Sequence, residues 1–169
     1  MIDELIRTRR THKVYGAEPV DRATLDELLE LATWAPNHNL TNPWRFRVLG
    51  PRTRAALKQA AGAEAASKLD RAPTLVCVSV VQQGEDPVAD EEDLLAAGCA
   101  TYAVLLAAHA RGLAAYWRTP AVLRSPAGRA ALGIPGDEHA IALVHLGPLR
   151  QEKAPPERAP TTDVVTYLD

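Results

Sequence analysis

TWAPNHNLTNPWRF, residues 33–46, holds two of the chain's three tryptophans and its single phenylalanine, with two prolines, three asparagines, a histidine and an arginine. Its first residues close a helix and its last open a strand. Pro36 biases Ala35 away from the helical region, which predicts the end of the helix upstream. His38, Asn37, Asn39 and Asn42 lie between Pro36 and Pro43, so the backbone is expected to be extended and their side chains presented. Such amides can pair with the edge of a heterocycle, while Trp34 and Trp44 can stack or cover apolar surface. A packed turn with an aromatic rim accounts for the same composition.

Upstream, VDRATLDELLELATWAP reads as a helix with Leu25, Leu28, Leu29 and Ala32 in one stripe. Asp21 or Thr24 can cap it, and Thr24 with Glu27 has capping-box spacing. Ile2 to Arg9 forms an earlier helix that runs into the basic loop RTRRTHKVYG. Downstream, Arg45 to Leu49 predicts a strand, TRAALKQAAG a helix stopped by Gly62, and APTLVCVSVV a strand buried on both faces. GEDPVADEED reads as an acidic loop before the longest helix, Glu91 to His109, which is alanine-rich with Gly98 in its middle. That helix is expected at the centre of the domain and at a subunit interface. LAAYWR is a strand. SPAGRAALG is a short helix with Ser125 as N-cap, Pro126 at N1 and Gly133 at C′, and HAIALVHLG is the last strand.

The order α-α-β-α-β-α-β-α-β predicts an α+β or three-layer domain around a mostly antiparallel or mixed sheet. Its 169 residues support one core, so 1–169 is expected to be one domain with an extended tail over about 148–169. The tail ends in the apolar VVTYL, which predicts docking, on another subunit by preference. A net charge of −2 gives no basic excess for nucleic acid or an anionic membrane. Apolar runs break within about ten residues, where a membrane span needs about twenty. The N-terminus is unlike a signal peptide, and a cytoplasmic protein with Cys77 and Cys99 as reduced core residues is expected.

Three constellations could bind an anion or line a pocket. RTRRTH (7–12) combines three arginines with two hydroxyls, suited to a phosphate, and could equally be a solvated basic patch. AYWRTP places an aromatic, an arginine and a threonine at a strand end. PPERAP presents Arg158 on an extended tail. No metal-ligand spacing occurs. Nor does a GxGxxG, P-loop, GxSxG or HExxH signature, so common dinucleotide folds, P-loop enzymes and hydrolases are disfavoured.

Together, IRTRRTHKVYG, LATWAPNHNLTNPWRF, AYWRTP, ALGIPGDEHAIALVHLG and PPERAPTTDVVTYL resemble, in order and over essentially the whole chain, the FMN-dependent nitroreductase family, in its compact YdjA-like branch. The resemblance implies a nitroreductase-like three-layer α+β fold, with a mixed or antiparallel sheet flanked by helices, in an intertwined homodimer with FMN at the interface. It implies NAD(P)H as electron donor and nitroaromatics, quinones or similar small acceptors. By the same resemblance Arg9, Arg10 and Thr11 grip phosphate and ribityl, and His38 reaches the cofactor across the interface. Asn42 stands in for a glutamine, Trp117, Arg118 and Thr119 lie beside the flavin, and Arg158 matches a late basic residue. Trp34 falls where relatives often have an arginine. Ala107, Ala108, His109, Ala110, Arg111 and Gly112 lie where relatives contact the nicotinamide nucleotide. A different flavin chemistry on this fold, or a binding protein that has lost the cofactor, are the alternatives.

Overall fold

Alternation along one strand sets the layers. Val76, Val78 and Val80 of β2 (Thr74–Val81) face one core, while Leu75 and Cys77 face another. In the computed structural model, which describes residues 1–168, β2 lies inside a four-stranded sheet of order β1-β2-β4-β3, with every neighbouring pair antiparallel. The other strands are β1 (Trp44–Val48), β3 (Leu113–Arg118) and β4 (Glu138–Pro148). The first core packs α2 (Arg22–Ala32) and α5 (Pro87–Ala110) on the sheet; the second packs α3 (Pro51–Ala61) and α6 (Pro126–Leu132) on the other face. α1 (Ile2–Thr8) leans on α5, and α4 (Ala63–Ala66) follows α3. The three-layer α+β arrangement is as expected, with antiparallel rather than mixed strand pairing.

Local chemistry departs from the sequence expectations in five places. The cap of α2 is Asp21, whose carboxylate accepts from the Thr24 amide at 2.9 Å and its hydroxyl at 2.7 Å. Glu27 is left free to pair with Arg111, so the Thr24–Glu27 capping box does not form. α5 begins four residues early because Asp86 accepts from the amides of Val88 and Ala89 and Pro87 occupies N1. Cys99 is exposed on α5 and only Cys77 is buried. α5 is also long and apolar enough, by length and composition, to cross a membrane, because its alanines bridge the shorter runs. In this fold much of that surface is core: Ala97, Ala100 and Ala108 are fully buried.

The fifth departure is the 33–46 stretch itself. Rather than an extended passage, residues 38–40 make a 3-10 turn, with Asn39, Leu40 and Asn42 at positive φ. The asparagines supply the reason. Asn37 Oδ1 accepts from the Asn42 amide at 2.9 Å, and Asn42 Nδ2 donates to the Leu40 carbonyl at 2.7 Å. These side-chain bonds hold a left-handed turn in place of a strand. Trp44 then enters β1 with its ring in the first core.

Two features position the candidate site. β4 carries a bulge: Val78 pairs with Ala142 but Ser79 with Ala140, which leaves Ile141 as the extra residue. At the opposite margin, the segment after α1 lies parallel to β3, with Thr11 bridged to Ala115 and the His12 amide donating to the Ala115 carbonyl at 3.1 Å. Within that extended segment side chains alternate. Arg10 and His12 point inward and are buried, whereas Thr11 and Lys13 are exposed.

Candidate active site

The basic loop becomes an ordered wall. Arg10 is 9% exposed, and its Nη1 donates to the Arg9 carbonyl at 2.6 Å. The Thr8 hydroxyl and His109 Nε2 are 2.8 Å apart, which ties the end of α1 to the last turn of α5. Lys153, at the start of the tail, donates to the Thr11 carbonyl at 3.0 Å. Arg10, His12, His109 and Lys153 line a cleft of about 320 Å³. Burial, followed by the charge of Lys153, holds His12 below its ordinary value; burial, then Arg9 and Arg10, does the same to His109. In each shift the neighbouring cations are the smaller causes, and Glu152 lines the cleft beside them. The Nε atoms of Arg9 and Arg10 are buried with no hydrogen-bond partner.

Arg9 also reaches the second half of the site. Its guanidinium lies over the Tyr102 ring of α5, 5.8 Å from the centroid. Tyr102 and Trp117 are walls of a cavity of about 980 Å³, floored by Gly98 and Ile141. The bulge matters here, because the Ile141 carbonyl accepts from Trp117 Nε1 at 3.3 Å and fixes the indole. Basic wall and aromatic cavity therefore meet at Tyr102.

The expected residues fall into three groups. Arg9, Arg10, Thr11, Trp117 and His109 belong to this region. Arg118 follows Trp117 on β3 and so faces the opposite side of the sheet. It donates to the Lys68 carbonyl at 3.3 Å, lies 5.8 Å from the Tyr116 centroid, and lines a separate cleft of about 260 Å³; Thr119 is exposed beyond it. Ala107 and Ala108 face the core, Ala110 and Gly112 are exposed, and Arg111 pairs with Glu27 at 3.0 Å. His38 and Asn42 are exposed on a turn that meets the other half of α5, where the Thr41 hydroxyl donates to Asp93 at 2.6 Å. Asp93 and His109 are sixteen residues apart, about 24 Å along the helix axis. Trp34 is 79% exposed and donates to Glu30 at 2.7 Å. Arg158 is exposed on the tail. The His38–Asn42 turn thus lies at the Asp93 end of α5, while Arg9 contacts Tyr102 further along the same helix.

Sequence reasoning missed Tyr102 at the site, and Lys13 on the opposite face. Lys13 Nζ lies 5.9 Å from the Tyr116 centroid, on the same ring as Arg118. Period-two spacing from Thr11 would have found Lys13 once the segment was read as a strand rather than a loop. Tyr102 was hidden because only the pairing of strand and helix shows which face of α5 meets Arg9.

The family model of the Nitroreductase family matches residues 6–68 and 61–148. A Haemophilus influenzae protein named "Putative NAD(P)H nitroreductase" is 32% identical, with 97% of this chain and 97% of that protein covered. The Escherichia coli K12 protein named "Putative NAD(P)H nitroreductase YdjA" is 29% identical over 98% of both. Among solved structures, a putative nitroreductase from Desulfovibrio desulfuricans in complex with FMN superposes with a TM-score of 0.84. It is 26% identical, with 99% of this chain and 96% of that one covered.

Proposed function

The chain belongs to the nitroreductase family, and on that premise we propose that it is an FMN-dependent oxidoreductase. It would take electrons from NADH or NADPH and deliver them to a nitroaromatic, quinone or similar small acceptor. The observation that carries this reading is the buried, unpartnered Nε of Arg9, whose guanidinium stacks on the Tyr102 wall of the aromatic cavity, next to the like nitrogen of Arg10. A buried donor left unpaired costs roughly 1–3 kcal/mol, and a phosphate would satisfy both. The residues present fit the cofactor. Arg9, Arg10 and Thr11 would hold the phosphate and ribityl, and Trp117 would flank the ring. When bound, FMN supplies the hydride and electron chemistry. The chain's part is to neutralise the phosphate, orient the ring against Trp117 and exclude water with the walls of α5 and β4.

The reading takes two copies of the chain, each one domain. The His38–Asn42 turn meets α5 at Asp93, whereas Arg9 meets it at Tyr102. The outward stripe of α5 is apolar, with Leu94, Leu95 and Tyr102 all exposed. On the tail, Val164, Tyr167 and Leu168 are exposed. A partner would cover the stripe and the tail and bring its own His38 and Asn42 to the ring. Trp34, whose indole N–H is held by Glu30, makes no phosphate contact in this scheme.

The experiment is a visible spectrum of the purified protein with FMN, before and after NADH or NADPH is added without oxygen. Bound flavin that bleaches supports the proposal, and a protein that takes up no FMN overturns it.

A further inference from the structure

A second cavity, of about 700 Å³, is walled by the start of α2, the end of β1, α3 and the loop that leads into β2. No residue given above to the flavin or to a covering copy lines it. Its apolar walls are aliphatic, from Pro19, Val20, Leu25, Leu49, Pro51 and Pro73, with no aromatic ring among them.

The polar groups on the same walls do not cancel. Lys58 and Asp70 pair with each other at 2.5 Å. Arg54 pairs with no carboxylate among the described residues, so one positive charge is left over. Its guanidinium is anchored rather than free to swing away, because Nη2 donates to the Ala72 carbonyl. That is its one hydrogen bond among the described residues, and its Nε is buried without a partner. Thr74, two residues beyond Ala72, is 6% exposed and lines the cavity too. Its hydroxyl oxygen accepts from the Val20 amide at 2.9 Å, while its proton goes to no acceptor among the described residues. A fixed guanidinium and a spare hydroxyl proton are donors in want of an acceptor.

Aliphatic walls select a saturated chain, and a single uncancelled arginine selects one negative charge. We propose that this cavity is a binding site, separate from the flavin, for aliphatic monocarboxylates. The carboxylate pairs with Arg54 and accepts from Thr74, and the chain lies along the prolines and leucines. Nothing in the proposal depends on the flavin reading.

The test titrates octanoate, octanamide and acetate calorimetrically into the purified protein, with and without FMN. Octanoate is expected to bind at least fivefold more tightly than the neutral amide and at least tenfold more tightly than acetate, with the same ratios in both preparations. Arg54→Gln is expected to erase the advantage over the amide. Ala55→Glu does the same from an exposed position of α3 on the cavity wall, where the new carboxylate faces the ligand's charge and the fold is not at stake. An octanoate-to-octanamide ratio below five overturns the proposal, as does an advantage that survives Ala55→Glu. Acetate binding as tightly as octanoate would mark an adventitious ion only and overturns it as well, and so does failure of octanoate to bind. A protein that takes up no FMN yet keeps the octanoate preference would sink the flavin reading alone.

Discussion

The Arg9 guanidinium stacks over the Tyr102 ring at 5.8 Å and so joins the basic wall to the aromatic cavity. A cation over an exposed ring is worth about 0.5–1 kcal/mol. Tyr102→Leu is therefore expected to weaken FMN binding about two- to fivefold by loosening Arg9, while Tyr102→Phe keeps the affinity. Flavin fluorescence titration of the three proteins checks this, and equal losses in both variants would assign the effect to the hydroxyl instead.

Arg10 is buried against the cleft, whereas Arg7 is exposed on α1. Arg10→Ala is expected to lower FMN affinity by about one to two decades, the loss of one charge-assisted hydrogen bond at roughly 1.5–3 kcal/mol. Arg7→Ala should change it far less. Indistinguishable dissociation constants for the two variants would remove Arg10 from the phosphate site.

His145 is 1% exposed on β4, between the rings of Tyr15 and Tyr116. Burial, then the charges of Arg118, Arg54 and Arg71, push its imidazole down to about 3. The folded value is below the unfolded 6.5, so the native state holds the neutral ring. Its contribution is complete above pH 6.5 and is lost as pH falls from there toward 3, at about 1.4 kcal/mol per unit mid-window. Urea unfolding of His145→Leu at pH 7, 6, 5 and 4 should show a shallower acid slope than wild type. Parallel slopes would contradict the buried neutral assignment.

Gly128 in α6 has no room for a side chain: a Cβ would lie 1.8 Å from the Val122 carbonyl oxygen. Gly128→Ala is expected to cost about 2–4 kcal/mol by pushing α6 off the turn that carries Arg124. Gly136→Ala, with nothing within 4 Å, is the control. Thermal melts of both variants decide it; a Gly128→Ala protein as stable as the control would show that the turn yields easily.

Short-range chemistry was the legible part of the sequence. Ser125, Pro126 and Gly133 bound α6 as their capping preferences require, and Leu25 and Leu28 face the core as their spacing predicts. The bend at Asn39, Leu40 and Asn42 was not legible, because asparagine serves extended and left-handed backbone alike, and side-chain bonds to neighbouring amides decided between them. Cys99 and Tyr102 were misread or missed for a different reason. On a helix apolar nearly all round, composition does not say which stripe stays outside. At the candidate site, Arg9, Arg10, Thr11 and Trp117 were named from motif order through the family resemblance. Their meeting through Tyr102, and the separation of Arg118 to the other face, came from strand alternation and packing.

The bridge from Thr11 to Ala115 has a consequence for how the protein is made. The ribosome releases the basic segment roughly a hundred residues before the strand it must lie on. Until β3 emerges, Arg9 and Arg10 have no wall to be buried against. If the chain takes up FMN as proposed, capture is deferred until the sheet edge is closed, and a nascent chain truncated before β3 is expected to bind none.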